Sequence, residues 1–338
     1  MTNERVPYRE AGHLTAEDNR LLDLLQNDFS LAPEPFEVLA SKIGKSSADV
    51  IEHIRSLKEQ GIIRHIRGTF DSRQLGYQST LVAMSVESAK LDSVADHISQ
   101  HTGVSHNYAR DHNYNLWFTL TLSSDKSIAE TVESFARASG VKKVITLPAL
   151  RVFKIDVRFD MGRAPVKPQQ SRKEVGTIPV QHGPLSGLEI AAVRQLQRDI
   201  SLVVRPFDFM AESLDVGIDR FLEIAQTFLQ RGVMRRYGGV VNHRRIGYME
   251  NAMGCWIVPS SMIEGVGGIM ASFAAVTHCY ERPTFPDWPY NVFTMIHGHT
   301  REECQEVAGR IAREVEVENY LLLYSTKEFK KESINYFV

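Results

Sequence analysis

Gly61-Ile62-Ile63-Arg64, running on to Leu75-Gly76-Tyr77, returns as Gly232-Val233-Met234-Arg235, running on to Ile246-Gly247-Tyr248, an offset of 171 residues. The same offset carries Leu25-Gln26 onto Leu196-Gln197, Asp28 onto Asp199, Ser30-Leu31 onto Ser201-Leu202 and Pro35-Phe36 onto Pro206-Phe207. Matches kept in register over that distance mark a duplicated unit, so the fold must be read twice. Further on, Val104-Ser105-His106-Asn107-Tyr108-Ala109-Arg110 corresponds to Val276-Thr277-His278-Cys279-Tyr280-Glu281-Arg282. Tyr114-Asn115 meets Tyr290-Asn291 after an insertion between Pro283 and Pro289 in the second copy.

Each copy opens with helices. Leu14, Leu21, Leu22 and Leu25 form a helical stripe, Pro35 to Ile43 a short second helix opened by proline, and Ser46 to Gln60 a third with Val50, Ile51, Ile54 and Leu57 inward. Gly61 is placed to cap that third helix. Two short strands, about Ile62–Ile66 and Thr69–Asp71 separated by Gly68, would complete a winged helix-turn-helix. Beyond Tyr77 the period reads strand (Ser79–Val86), helix (Leu91–His101), strand (Val104–Arg110), strand (Asn115–Leu122), helix (Ser127–Ser139) and strand (Val141–Val157). That βαββαβ order is the split βαβ, ferredoxin-like sandwich. The second copy repeats the unit from Ser186 to Ser325. Met161 to Pro184, rich in proline and polar residues without hydrophobic period, reads as a linker. The expected organisation is therefore α+β: winged helices at 1–77 and 185–248, ferredoxin-like domains at 78–160 and 249–338, and a linker at 161–184.

Composition narrows the function. The 338 residues are 43% hydrophobic and 24% charged, enough for several cores. A net charge of -2 and a pI near 6.6 give no global attraction to a polyanion. Met1 to His13 has no apolar signal core, and no run approaches the roughly 18 apolar residues of a spanning helix. A cytoplasmic location without membrane attachment is expected. Cys255, Cys279 and Cys304 lack CxxC spacing, so they suggest neither a disulfide framework nor a thiolate zinc site.

A winged helix followed by βαββαβ resembles the leucine-responsive Lrp/AsnC regulators, as does the closing segment Leu323-Tyr324-Ser325-Thr326-Lys327-Glu328-Phe329-Lys330. A more specific resemblance covers nearly the whole chain outside the linker. Arg64-His65-Ile66-Arg67-Gly68-Thr69-Phe70-Asp71 through Tyr77, and Ser105-His106-Asn107-Tyr108-Ala109-Arg110 through Phe118, are similar to siroheme decarboxylases. Those enzymes share the regulator fold and work as two related subunits or as a fusion of both. The resemblance implies a fused form that removes two acetate carboxyl groups of siroheme as carbon dioxide. The product, 12,18-didecarboxysiroheme, serves heme d1 or an alternative heme pathway.

Strand alternation puts His106, Tyr108 and Arg110 on one face of their strand, and His278, Tyr280 and Arg282 likewise. Departure of carbon dioxide leaves an electron pair on the acetate methylene, and a proton must arrive there. Arginine can grip carboxylates, and histidine or tyrosine can supply the proton. These six are the catalytic candidates. Candidates for binding the substrate are Arg64, His65, Arg67, Arg235, Arg236 and Tyr237 on the wings, and Tyr114, Trp117, Trp288 and Tyr290 for stacking. The macrocycle is itself an electron sink, so no cofactor beyond the iron-containing substrate is expected. No protein metal site is expected either, apart from His106 or His278 as a ligand to the siroheme iron.

The competing readings are an Lrp/AsnC-type transcriptional regulator and a non-catalytic tetrapyrrole sensor or carrier. The third helices speak against the regulator. Asp49, Glu52 and Glu59 outweigh Arg55 and Lys58 in the first, and the second, Gly217 to Arg231, is strongly apolar and unlike it. No specific DNA partner is expected. Fusion would satisfy the sheet pairing of such regulators internally, giving a pseudo-dimer in one chain that can further form a homodimer.

Overall fold

A computed structural model describes residues 14–155 and 183–338. The first copy begins with a capping box, in which the Thr15 side chain accepts from the Asp18 amide and Asp18 accepts from the Thr15 amide, opening α1 (Ala16–Asn27). Pro35 starts α2 (Pro35–Ile43), and Ser46 caps α3 (Ser47–Glu59). Gly61, at φ +70°, turns the chain in the left-handed region into β1 (Ile63–Phe70). Then come β2 (Tyr77–Ser85), α4 (Leu91–Ser99), β3 (Val104–Arg110), β4 (Leu116–Ser123), α5 (Ile128–Ser139), β5 (Lys143–Pro148) and β6 (Arg151–Ile155). The second copy has α6 (Gly187–Leu196), α7 (Asp208–Glu212), α8 (Ile218–Gln230), β7 (Met234–Val241), β8 (Glu250–Trp256), α9 (Ile263–Ser272), β9 (Val276–Glu281), β10 (Val292–Gly298), α10 (Arg301–Glu314) and β11 (Tyr320–Lys331). The linker expected at 161–184 lies outside the described residues except for its end. Among the described residues no helix is long and apolar enough to cross a membrane.

The wing differs from expectation. Each copy gives one strand instead of a two-stranded hairpin, and β1 pairs antiparallel with β7 of the other copy, Gly68 opposite Tyr237. Gly68 does not turn the chain because its task is close approach. A Cβ there would lie 3.1 Å from the Leu196 carbonyl oxygen and 2.8 Å from the Met234 sulfur. A Cβ at Gly238 would lie 2.5 Å from the Leu25 oxygen. The end of each first helix thus rests on the other copy's strand. Leu25, Phe36 and Ile54 share one core with Leu196, Phe207, Phe221 and Phe228. Each such side chain contributes roughly 1.5–3 kcal/mol of burial, so the two helix-turn-helix units stabilise one another.

The sandwich domains exchange strand ends. Their sheets run β5-β2-β4-β3 and β11-β8-β10-β9; β6 then adds to β9, and the second half of β11 adds to β3. The final strand expected at Val141–Val157 is broken after Pro148, whose ring removes a ladder donor, and the Leu150 amide donates to Glu281 of the other copy at 2.9 Å. Helices α4 and α5 cover the outer face of the first sheet through Val94, Ile98, Val132 and Phe135; α9 and α10 cover the second through Val266, Met270, Ala308 and Ile311. The inner faces meet through Ala83, Trp117, Leu147, Met253, Cys255, Phe293 and Leu323. All three cysteines are buried and free. Asn107 points outward, donating to the Ala95 oxygen and Ser99 Oγ at 3.0 Å each, which turns its neighbours His106 and Tyr108 inward.

Candidate functional site

The arginines of the two rows do not reach outward to a ligand. Arg110 Nη1 donates to the Leu323 carbonyl at 2.7 Å and Arg282 Nη1 to that of Leu147, each carbonyl belonging to the other copy. Both are nearly sealed, at 6% and 9% exposure, and the Nε of each has no hydrogen-bond partner among the described residues. Burial brings both guanidinium groups down to about 10, and the Cys255 thiol beside them is pushed up, chiefly by burial. Their expected role as carboxylate grips is therefore corrected: they clasp the two sheets together. Tyr108 and Tyr280 stand beneath them, ring centroids 5.9 and 4.7 Å from the guanidinium carbons, and burial raises both phenols.

The histidines sit at the same ladder position but in different company. His106 lies opposite Lys331, and His278 opposite Ile155. Burial foremost, then the charges of Lys331 and Arg64, lowers His106 to about 4. His278 falls to about 3, through burial and then His297, His106 and Arg235. The Lys331 ammonium lies 3.3 Å from His243 Nδ1, with Arg64, Arg244 and Glu328 in electrostatic reach; burial and Arg64 bring it to about 8. Arg244 approaches Glu328 at 3.9 Å, while neither Arg64 nor Lys331 has a carboxylate partner among the described residues. The second row is neutralised instead. Arg235 bonds Asp71 at 2.7 Å and Arg73 approaches the same carboxylate at 3.5 Å. Against the upward push of burial, these two cations hold the Asp71 carboxyl below its ordinary value. The repeat equivalent of Asp71 is Asn242, so the residue that pairs with Arg235 has no acidic counterpart for Arg64.

A family model for the AsnC-like ligand binding domain matches residues 74–154 and again 245–330, and one for the siroheme decarboxylase NirDL-like HTH domain matches residues 18–64. The chain is 40% identical over 322 residues to the siroheme decarboxylase of Hydrogenobacter thermophilus, covering 95% of each. The chain belongs to the siroheme decarboxylase family. Its double length fits that family: the siroheme decarboxylase beta subunit of Methanosarcina barkeri is 40% identical over 146 residues, which are 96% of that subunit but 43% of this chain. The crystal structure of the siroheme decarboxylase NirDL in co-complex with an iron-uroporphyrin III analogue matches with a TM-score of 0.73 at 36% identity, over 95% of both chains.

Several other candidates of this decarboxylase-family chain are structural. Arg67 donates to the Gln197 carbonyl at 3.2 Å, and Arg236 to those of Gln26 and Gly239 at 3.3 and 3.0 Å, closing helix ends. Tyr237 is buried between Phe29 and Phe207. His65 is half-buried beside the Lys58–Asp199 pair, with its pKa lowered chiefly by burial. Trp117 and Trp288 are 1% and 0% exposed and pack on each other between the sheets with Tyr114, so none of the three offers a stacking face. Tyr290, partly exposed, edges the same cluster, 4.9 Å from Trp288. The inserted loop is a latch, since Tyr114 donates to its Asp287 at 2.9 Å.

Three residues around the rows escaped the sequence reading: His243, His297 and Lys331. The rings of His243 and His297 are 5.6 Å apart, and His297 Nε2 and His278 Nδ1 both contact Thr277 Oγ1, at 3.1 and 2.9 Å. Burial is the main cause that lowers His243 to about 2 and His297 to about 4. A signal existed: the first copy has Ser72 and Thr121 at the equivalent positions, so both histidines break the repeat.

Proposed function

We propose that this chain decarboxylates siroheme, and that the chemistry runs at the His106 row. The observation that carries this reading is the excess of positive charge there. Arg64 and Lys331 converge beside His106 with no carboxylate partner among the described residues, and the one acid near the row, Glu328 opposite Tyr108, is approached by a third cation, Arg244. This arrangement favours a polyanionic ligand over an empty site. A substrate rich in carboxylates supplies the missing charge.

The step asked of the protein is simple to balance. The bond between the acetate methylene and its carboxylate breaks, carbon dioxide leaves, the electron pair stays on the methylene conjugated to the ring, and one proton converts it to a methyl group. In the free protein His106 is neutral at pH 7, since burial and two cations bring it to about 4. Carboxylates beside Lys331 and Arg64 offset that field, raise the imidazole's affinity for a proton and make it a competent acid. Tyr108, held as the phenol with its ring centroid 6.2 Å from that of His106, is the reserve donor. His278 is also neutral, the form that ligates iron. No cofactor beyond the iron-containing substrate enters this scheme, whose product is 12,18-didecarboxysiroheme for heme d1 or an alternative heme pathway in the cytoplasm.

The third helices weigh against DNA reading. On α3 Arg55 pairs with Glu52 and Lys58 with Asp199; on α8 Arg220 pairs with Glu223, and just beyond it Arg231 pairs with Glu189. Cations so engaged are poorly placed for phosphates. The test is anaerobic incubation of the purified chain with siroheme, followed by mass spectrometry. Loss of two carbon dioxide units is expected. An unchanged mass, together with salt-sensitive binding to a defined DNA site, would overturn the reading.

A further inference from the structure

We infer that Lys331 is a specificity-determining residue: it holds the acetate carboxylate that reacts beside His106, and so selects acetate-bearing macrocycles. The inference rests on siroheme decarboxylation at the His106 row and deepens it.

The geometry begins with the ladder. Lys331 is the last residue of β11 and stands directly opposite His106 on β3. Side chains paired across an antiparallel ladder lie on the same side of the sheet with Cβ atoms about 5 Å apart, so ammonium and imidazole share one space. Nζ touches His243 Nδ1 at 3.3 Å, and no carboxylate reaches it among the described residues. Glu328, the acid in its electrostatic reach, is approached instead by Arg244 at 3.9 Å. The enclosed ammonium faces Arg64 and two neutral imidazoles and has no carboxylate in ion-pair contact among the described residues; burial first, then Arg64, brings it to about 8 against the opposing pull of Glu328.

The reaction narrows what fills the gap. The carboxylate that departs must sit next to the group that protonates its methylene, because one methylene separates the carboxyl carbon from the ring. Lys331 is the cation in register with His106, whereas Arg64 approaches from the wing strand β1 and Arg244 is engaged with Glu328. Lys331 also comes from the second copy while His106 comes from the first. The site is incomplete without the other copy's closing strand, which gives the duplication a chemical reason.

The experiment compares two ferric porphyrins, titrated spectroscopically into the purified full-length chain, with mass spectrometry checking that the porphyrin recovered is unchanged. Iron-uroporphyrin III carries acetates and propionates; iron-coproporphyrin III has methyl groups where the first has acetates. Lys331→Met is expected to weaken iron-uroporphyrin binding by about tenfold or more while leaving iron-coproporphyrin binding within about twofold, the loss of one charge-assisted contact. Lys331→Arg should recover most of that affinity, which separates a charge requirement from a folding defect. Equal losses for both porphyrins, or none for either, would overturn the assignment while leaving decarboxylation at this row standing. Failure of the unaltered chain both to bind iron-uroporphyrin and to decarboxylate siroheme would instead overturn the functional reading, and this inference with it.

Discussion

Opposite His106 stands Lys331; opposite His278, at the same place in the ladder, stands Ile155. Arg64 beside the first row has no carboxylate partner among the described residues, the repeat equivalent of Asp71 being Asn242; Arg235 beside the second is bound to Asp71 at 2.7 Å. The two rows therefore keep one motif and differ in the electrostatics around it. What they share, Tyr108 and Tyr280 under arginines that clasp the opposite sheet, serves assembly of the sandwich. What differs is the balance of charge, and charge is what a polycarboxylate would sense.

The largest effect should come from the histidines themselves. His106→Gln is expected to lower siroheme turnover by about a hundredfold or more, the usual value of a positioned acid, while His278→Gln lowers it by less than about tenfold. Initial rates of carbon dioxide release for the two variants measure this directly. A greater loss in the second variant would reverse the assignment of rows.

Next come the paired arginines. Arg64→Met should raise the KM for siroheme by about tenfold with little change in thermal stability, since it removes a cation that has no carboxylate partner among the described residues. Arg235→Met should do the opposite, costing about 2 kcal/mol of stability by leaving the buried Asp71 carboxylate with the more distant Arg73 alone. Denaturant midpoints alongside KM values separate the two, and a shared pattern would break the contrast.

Much of this architecture was legible in the sequence, for identifiable reasons. The strand Val104–Arg110 was bounded correctly because its alternation is interrupted at both ends, and α3 because Ser46 and Gly61 bracket it. The wing was misread because Gly68 has two uses, turning and close packing, and the packing partners come from the other copy. Arg67, Arg236 and Tyr237 were misplaced for the same reason: their neighbours are brought in by strand exchange across more than a hundred residues. The outward symmetry of the repeat drew attention to what the copies share. Lys331, His243 and His297 lay instead where the copies differ.

A smaller effect separates the copies through pH. Among the groups enclosed here, His106, His243, His278 and His297 are lowered to about 4, 2, 3 and 4, mainly by burial. Lowered in the folded state, they remain neutral while the unfolded chain takes up protons below its ordinary histidine pKa of about 6.5. Their contribution to stability is thus complete above about pH 6.5 and is lost as the pH falls toward 4. His297→Thr and His243→Ser restore the first copy's residues, and each should flatten that dependence by up to about 1.4 kcal/mol per pH unit. Melting temperatures between pH 4 and 7 measure the slope; an unchanged slope would mean these imidazoles are already solvated.

The smallest expected effect concerns Trp288, which the second copy alone carries in its inserted loop. Its ring is fully buried against Trp117, Tyr114 and Phe293, and its Nε1 finds no acceptor among the described residues. Trp288→Phe removes volume, which costs stability, but also removes an orphaned donor, which restores some of it. The two terms oppose, so a net change within about 1 kcal/mol is expected, with siroheme turnover unaltered. A stacking platform would behave otherwise, losing affinity for the macrocycle with little change in stability. Measuring both quantities for this variant therefore asks whether the second copy's added loop belongs to the seam between the sheets or to the binding site, and the latch from Asp287 to Tyr114 places it in the seam.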